Sequence, residues 1–150
     1  MNWENYRFHE LSGSRLYEIL KLRVDVFVVE QNCPYPELDG LDQQSLHIVG
    51  MEGERLMAYA RLVPAGEKYE LPSIGRVIVH PDVRGRGLAK QLLERCIDHI
   101  TVEWQSGEIQ LQGQVYLQNF YESMGFRTVS EVYDEDGIPH VDMKYGTEKL

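Results

Sequence analysis

A chain of 150 residues, 43% hydrophobic and 26% charged, has the composition of an ordinary globular protein and is long enough to bury about two-thirds of its unfolded surface as one domain, 1–150. The net charge of −9 opposes non-specific binding to nucleic acid, and no apolar run approaches the ~18 residues that a membrane span needs. No charged-then-apolar leader opens the chain and two cysteines make no disulfide framework, so the cytoplasm is the expected compartment.

In chain order, a first strand is expected from Tyr6 to Glu10. Leu16, Ile19, Leu20, Val24, Phe27 and Val28 recur at helical spacing and predict a helix from about Ser14 to Glu30. Pro34, Pro36 and Gly40 make Asn32 to Ser45 a long loop. It holds Cys33, which lacks the local signature of a nucleophile. Leu46 to Met51 and Arg55 to Pro64 read as a hairpin around Glu52-Gly53-Glu54. A β-branched strand, 74–79, then passes through a His80-Pro81 turn and an Arg/Gly loop into a helix over 88–100. The apolar stripe of that helix is Leu88, Leu92, Cys96 and Ile100, widened by Ala89, Leu93 and Ile97. Ile109 to Gln114 is a further strand, and Leu117 to Met124 a short helix stopped by Gly125. Thr128 to Tyr133 and Val141 to Tyr145 form a closing hairpin around Asp136-Gly137. The order β-α-β-β-β-α-β-α-β-β implies an α/β (α+β) fold, a mixed sheet with helices on both faces.

The most informative stretch is the strand, loop and helix start from Ile74 to Ala89. A helix start leaves backbone N–H groups unpaired and carries partial positive charge, which suits a phosphate. Gly85 and Gly87 let the backbone close around phosphate oxygens, and Arg84 and Arg86 add cationic donors. No P-loop string is present, and Lys90 stands where a dinucleotide fingerprint needs its third glycine. Residues 76–90 set Arg76, Arg84, Arg86 and Lys90 against one acid, Asp82. A positive island on an acidic protein fits a polyanionic small ligand, and the acidic remainder suits a cationic acceptor such as an amine.

Arg84-x-x-Gly87-x-Ala89 resembles the acetyl-CoA signature of the GNAT-type N-acetyltransferases. Tyr121-Glu122-Ser123-Met124-Gly125-Phe126 looks like the same family's Tyr-x-x-x-Gly-Phe. Three further strings resemble its ElaA-like subgroup: Arg23-Val24-Asp25-Val26-Phe27-Val28-Val29-Glu30-Gln31, Leu117-Gln118-Asn119-Phe120-Tyr121 and Asp136-Gly137-Ile138-Pro139-His140. The resemblance covers nearly the whole chain. It implies the GNAT (acyl-CoA N-acyltransferase) fold, with a mixed, mostly antiparallel sheet. It also implies an enzyme that transfers acetyl from acetyl-CoA, its cosubstrate, to an amine by direct attack. The partner is then a small-molecule or peptide amine, with no nucleic acid, membrane or metal, and a homodimer is compatible with it.

The resemblance further assigns residues. The backbone of Val77, Ile78 and Val79 would bind the pantetheine arm and polarise the thioester carbonyl. Arg84, Gly85, Arg86, Gly87, Leu88 and Ala89 would hold the pyrophosphate. Gln114 stands where the family commonly has an Asn that contacts pantetheine, and Asn119 is a further cofactor contact. Tyr121 matches the general acid that protonates the leaving thiolate. Many members carry a catalytic Glu on the fourth strand, but Ser73 to Val79 contain no carboxylate. Glu30 is therefore the first candidate for the base, followed by His47 and His140. No His, Cys, Asp or Glu cluster has metal-ligand spacing. Two alternatives remain: a CoA-binding regulatory module that lacks chemistry, and an acyl-homoserine-lactone synthase, which Arg23-x-x-Val26-Phe27 also resembles.

Overall fold

The computed structural model describes residues 1–146. Eight strands form one sheet in the order β1-β2-β3-β4-β5-β8-β6, with β7 also pairing on β8. They are β1 (Asn2–Arg7), β2 (Leu46–Glu52), β3 (Arg55–Val63), β4 (Ser73–Val79), β5 (Ile109–Gln114), β6 (Phe126–Thr128), β7 (Tyr133–Glu135) and β8 (Ile138–Tyr145). Every pairing is antiparallel except β4 with β5.

The near-continuous apolar runs of β2 and β3 are buried on both faces, because helices cover each side. Alternation along the strands sorts the side chains. Val49, Met51, Tyr59 and Ile78 meet Ile19, Leu22 and Val26 of the first helical run. Ile48, Ala58, Ala60, Leu62 and Leu111 meet Leu92, Leu93, Cys96 and Ile100 on the opposite face. Each such Leu or Ile contributes about 1.5–3 kcal/mol on burial. Helices thus lie on both faces of a mixed sheet, as expected.

The helix α1 (Gly13–Arg23) is capped by Ser12, whose Oγ accepts from the Arg15 N–H at 3.0 Å. The expected single helix to Glu30 changes type midway, since Val24–Glu30 is π-helical. Helix α2 (Leu88–Asp98) likewise ends in a π-helical turn, His99–Glu103. Helix α3 (Gln118–Ser123) follows a 3₁₀ turn at Val115–Leu117.

Two expectations need correction. The first strand is Asn2–Arg7, and Phe8–Glu10 is a 3₁₀ turn in which Glu10 Oε1 accepts from the Arg7 N–H at 2.8 Å. Polar Asn2, Glu4 and Asn5 hide an edge strand that backbone pairing to β2 holds in place. In the tail, the turn at Asp136-Gly137 is as expected, but two short strands share one long partner. β6 pairs with the end of β8 and β7 with its start, and Val129–Val132 loop out between them.

What positions the site is the break between β4 and β5. They share one residue pair, Ser73 with Gln110, and then part. Opposite Ala60 of β3, β4 carries two residues, Arg76 and Val77, so the register shifts. Arg76 at this bulge has φ +53°, left-handed backbone that costs about 1–2 kcal/mol for a non-glycine residue.

Candidate active site

The parted strands open a cleft of about 900 Å³ that reaches from Ala89 on α2 to His140 on β8. Val77, Val79, Arg84 and Ala89 line it on one side, and Gln114, Leu117, Phe120 and Tyr121 on the other. A second hollow of about 510 Å³, lined by Arg7, Ser45, Pro64 and Trp104, contains none of the expected site residues.

At the cleft mouth, α2 starts on Gly87, at φ +73°, with no side chain capping it among the described residues and no acid in its first turn. Its first N–H groups are therefore open to an anion. Gly85 is also left-handed, at φ +83°. A Cβ at either glycine would meet nothing within 4 Å. The protein's own demand for glycine here is thus backbone conformation, and the open space above the loop is left to a ligand. Leu88 turns inward to Val83 and Met57, and the Ile78 side chain is core. Asn119 is exposed on α3 and does not line the cleft.

The three arginines of the positive island are tied up in ion pairs, while Lys90 is exposed on α2. Arg84 grips Glu30 with two bonds of 2.6 and 2.9 Å, while its Nε donates to the Val79 carbonyl at 3.0 Å. Arg86 pairs with Glu52 at 2.9 Å. Arg76 points away from the loop altogether, its Nε 2.6 Å from Glu37 Oε2. The Glu30 carboxylate lies in the cleft, but the Arg84 guanidinium holds its pKa below the ordinary value. A carboxylate in that state accepts a proton poorly.

Arg76 belongs to a cluster that sequence reasoning missed. Arg23, fully buried, donates to Glu37 at 2.8 Å and Asp42 at 2.7 Å. Arg61, 1% exposed, pairs with Asp39 at 2.7 Å and Asp42 at 3.0 Å. Three arginines from α1, β3 and β4 thus pin the 31–45 loop along one wall of the cleft. The available signal was Arg61 and Arg76, charged residues within apolar strand patterns, opposite three acids in a loop. Arg61 Nε and Tyr69 Oη are buried without a hydrogen-bond partner among the described residues, and both residues line the cleft.

Tyr121 is 6% exposed, and burial pushes its phenol well above the usual range, so it stays protonated. Its ring approaches β5 at Gly113, where a Cβ would stand 3.3 Å from Tyr121 Cδ2. The hydroxyl makes no hydrogen bond among the described residues. His47 is fully buried, shared between the Tyr59 hydroxyl at 2.6 Å and the Asp42 carbonyl at 2.9 Å. It does not reach the cleft, whereas His140 lines it. Cys96 is fully buried core, and Cys33 donates to the Asp136 carbonyl at 3.1 Å.

An open sheet parted between parallel neighbours, with an uncapped helix start at the gap, defines an acyl-CoA acyltransferase fold. The family profile described as Acetyltransferase (GNAT) domain matches residues 21–146. The chain belongs to the GNAT acetyltransferase family. Within that family it is ElaA-like: it is 45% identical to Protein ElaA of Escherichia coli over 145 residues, 95% of each chain. The crystal structure of that ElaA superposes with a TM-score of 0.90 at 44% identity, covering 96% of this chain and 98% of that one. An acyl-CoA N-acyltransferase from Pseudomonas aeruginosa has a TM-score of 0.92 at 38% identity, covering 97% and 100%. The CoA-dependent acyl-homoserine lactone synthase BjaI shares the fold alone, at 16% identity and a TM-score of 0.78. No helix among the described residues is long and apolar enough to cross a membrane.

Proposed function

We propose that this protein transfers an acetyl group from acetyl-CoA to the amine of a small molecule or peptide, in the cytoplasm. The observation that carries the reading is the uncapped, glycine-led start of α2, set at the mouth of a cleft lined by a protonated phenol. The pyrophosphate is held by the N–H groups of Gly85 to Ala89, with Arg84 and Arg86 as cationic partners. The pantetheine arm runs along the exposed backbone of Val77 to Val79, and Gln114 offers its amide from β5. Arg84 must leave the Val79 carbonyl for this arm to use it. A β4 backbone N–H polarises the thioester carbonyl. The amine attacks, the C–N bond forms, and the C–S bond breaks as Tyr121 protonates the thiolate. Arg61 Nε and Tyr69 Oη, both unpaired among the described residues, favour an acceptor that brings hydrogen-bonding groups of its own.

The test is free-CoA release from acetyl-CoA against a panel of small amines, amino acids and peptides. Gly87→Val is expected to weaken CoA binding in calorimetry by about 2 kcal/mol or more, because a β-branched residue disfavours the left-handed N-cap and its Cβ fills the phosphate's space. Unchanged affinity in a folded variant overturns the cradle. Tight CoA binding without release to any amine would instead assign a CoA-binding module without chemistry.

A further inference from the structure

The acceptor ammonium must lose a proton before it can attack, and β4 carries no carboxylate to take it. We infer that His140 is the general base; the inference rests on the acetyl-transfer reading above. His140 stands on β8, paired in register with Gln114 of β5, at the open end of the gap. Strand alternation separates it from the acid. Leu111 and Val141 enter the core that contains Tyr121, and Gly113 touches the Tyr121 ring. Gln112, Gln114, His140 and Asp142 therefore occupy the other face. Acid and base flank the parted strands from opposite sides, so a proton can leave the amine on one face while another reaches sulfur on the other.

The tautomer follows from one contact. His140 Nδ1 lies 2.8 Å from the Ile138 carbonyl, and a carbonyl only accepts, so Nδ1 carries the hydrogen. Nε2 then holds a lone pair, and it has no partner among the described residues. The ring is fixed by stacking on Tyr133, centroids 6.2 Å apart and 23° between planes. Tyr133 is anchored in turn, donating to Asp142 Oδ1 at 2.6 Å and accepting from Gln112 Nε2 at 3.0 Å. The charged groups around the site are Asp142 on the same strand face, Asp134, Glu135 and Asp136 of the β7–β8 hairpin, and Lys68, held across β5 by Gln112 at 3.3 Å. Glu30, by contrast, has both oxygens on Arg84.

The protons balance. One passes from the ammonium to Nε2 and on to solvent. Tyr121 gives its own to the thiolate, and the nitrogen of the tetrahedral adduct sheds one that restores Tyr121. The amide keeps the third.

The experiment uses two surrogate acceptors in the full chain: ethylamine, cationic at neutral pH, and hydroxylamine, neutral there. His140→Gln is expected to lower kcat/KM for ethylamine about 10²-fold at pH 7. It should recover as pH rises, change hydroxylamine rates by no more than a few-fold, and leave acetyl-CoA affinity unchanged. A His140→Gln protein with wild-type ethylamine rates, equal losses for both acceptors, or an imidazole ¹⁵N spectrum of the wild type that places the hydrogen on Nε2 each overturns the assignment. Wild-type protein that transfers to neither amine overturns the acetyl-transfer reading, and the base with it.

Discussion

In the proposed function, Tyr121 serves stability and chemistry at once. Its ring packs against Phe120 and Phe126, at 5.5 and 6.0 Å between centroids, while its hydroxyl has no partner among the described residues. Removing only the oxygen keeps the packing. Tyr121→Phe is therefore expected to bind acetyl-CoA normally and melt within a few degrees of wild type, with kcat lowered about 10²-fold. Measuring the melting temperature and kcat on one preparation separates this from a structural role, which predicts lost stability and preserved turnover. Gly113 is the complementary residue, since a Cβ there would stand 3.3 Å from both the Tyr121 ring and Met143 Sδ, so one of them would have to give by a few tenths of an ångström.

At the scale of the elements, the loop of residues 31–45 contributes no buried hydrophobic side chain and is held by ion pairs. Burial pushes the carboxyls of Asp39 and Asp42 up, but hydrogen bonds from Arg61 to Asp39 and from Arg23 and Arg61 to Asp42 outweigh it and hold both below the carboxylate range. A folded pKa below the unfolded value adds stability that is complete above the unfolded value, ~3.9, and disappears as pH falls through the folded one. Asp42→Ala takes one of two carboxylate partners from each of two buried guanidiniums, leaving Arg23 on Glu37 and Arg61 on Asp39, so it is expected to cost about 1–3 kcal/mol at neutral pH. Denaturant titrations of both proteins should show that gap narrowing below pH ~4. A constant gap from neutral to acid pH would mean that the charge pairs contribute nothing beyond packing. Arg76 ties this loop to the β4 bulge, so loop, bulge and cleft stand or fall as one unit.

At the level of the whole molecule, the proposed function asks a chain of net charge −9 to attract a polyanion. On that reading, the paired arginines at the cleft mouth exchange partners. Arg84 and Glu30 are each 43% exposed, and an exposed pair is worth about 0–1 kcal/mol, so the pyrophosphate can displace it. Glu30→Gln is accordingly expected to tighten CoA binding by up to about fivefold, by freeing Arg84. Affinity should weaken as salt rises, because the contacts at the mouth are screened. Calorimetry across ionic strengths checks both; a flat profile would leave the phosphate to backbone N–H groups alone, and weaker binding in Glu30→Gln would overturn the exchange.

Local pattern was enough for much of this. The β2–β3 hairpin, β4, β5, the apolar stripe of α2 and the Gly-led loop before it depend on periodicity and on turn residues, which neighbours in the chain encode directly. The spacing from Arg84 to Ala89 and from Tyr121 to Phe126 carried the family as well. Partners that lie far apart in sequence were decided by tertiary structure. The edge strand β1 is polar and exists because β2 lends it backbone hydrogen bonds. The division of the tail into β6 and β7 follows from the length of β8. Arg76, close in sequence to Arg84, faces Glu37 because the bulge turns it away from the loop. Along the chain Glu30 stood first as the candidate base, with His47 and His140 behind it. Folding gives Glu30 an arginine and leaves His140 a ring nitrogen without a partner among the described residues, because a charge or lone pair takes its chemistry from what stands beside it in space.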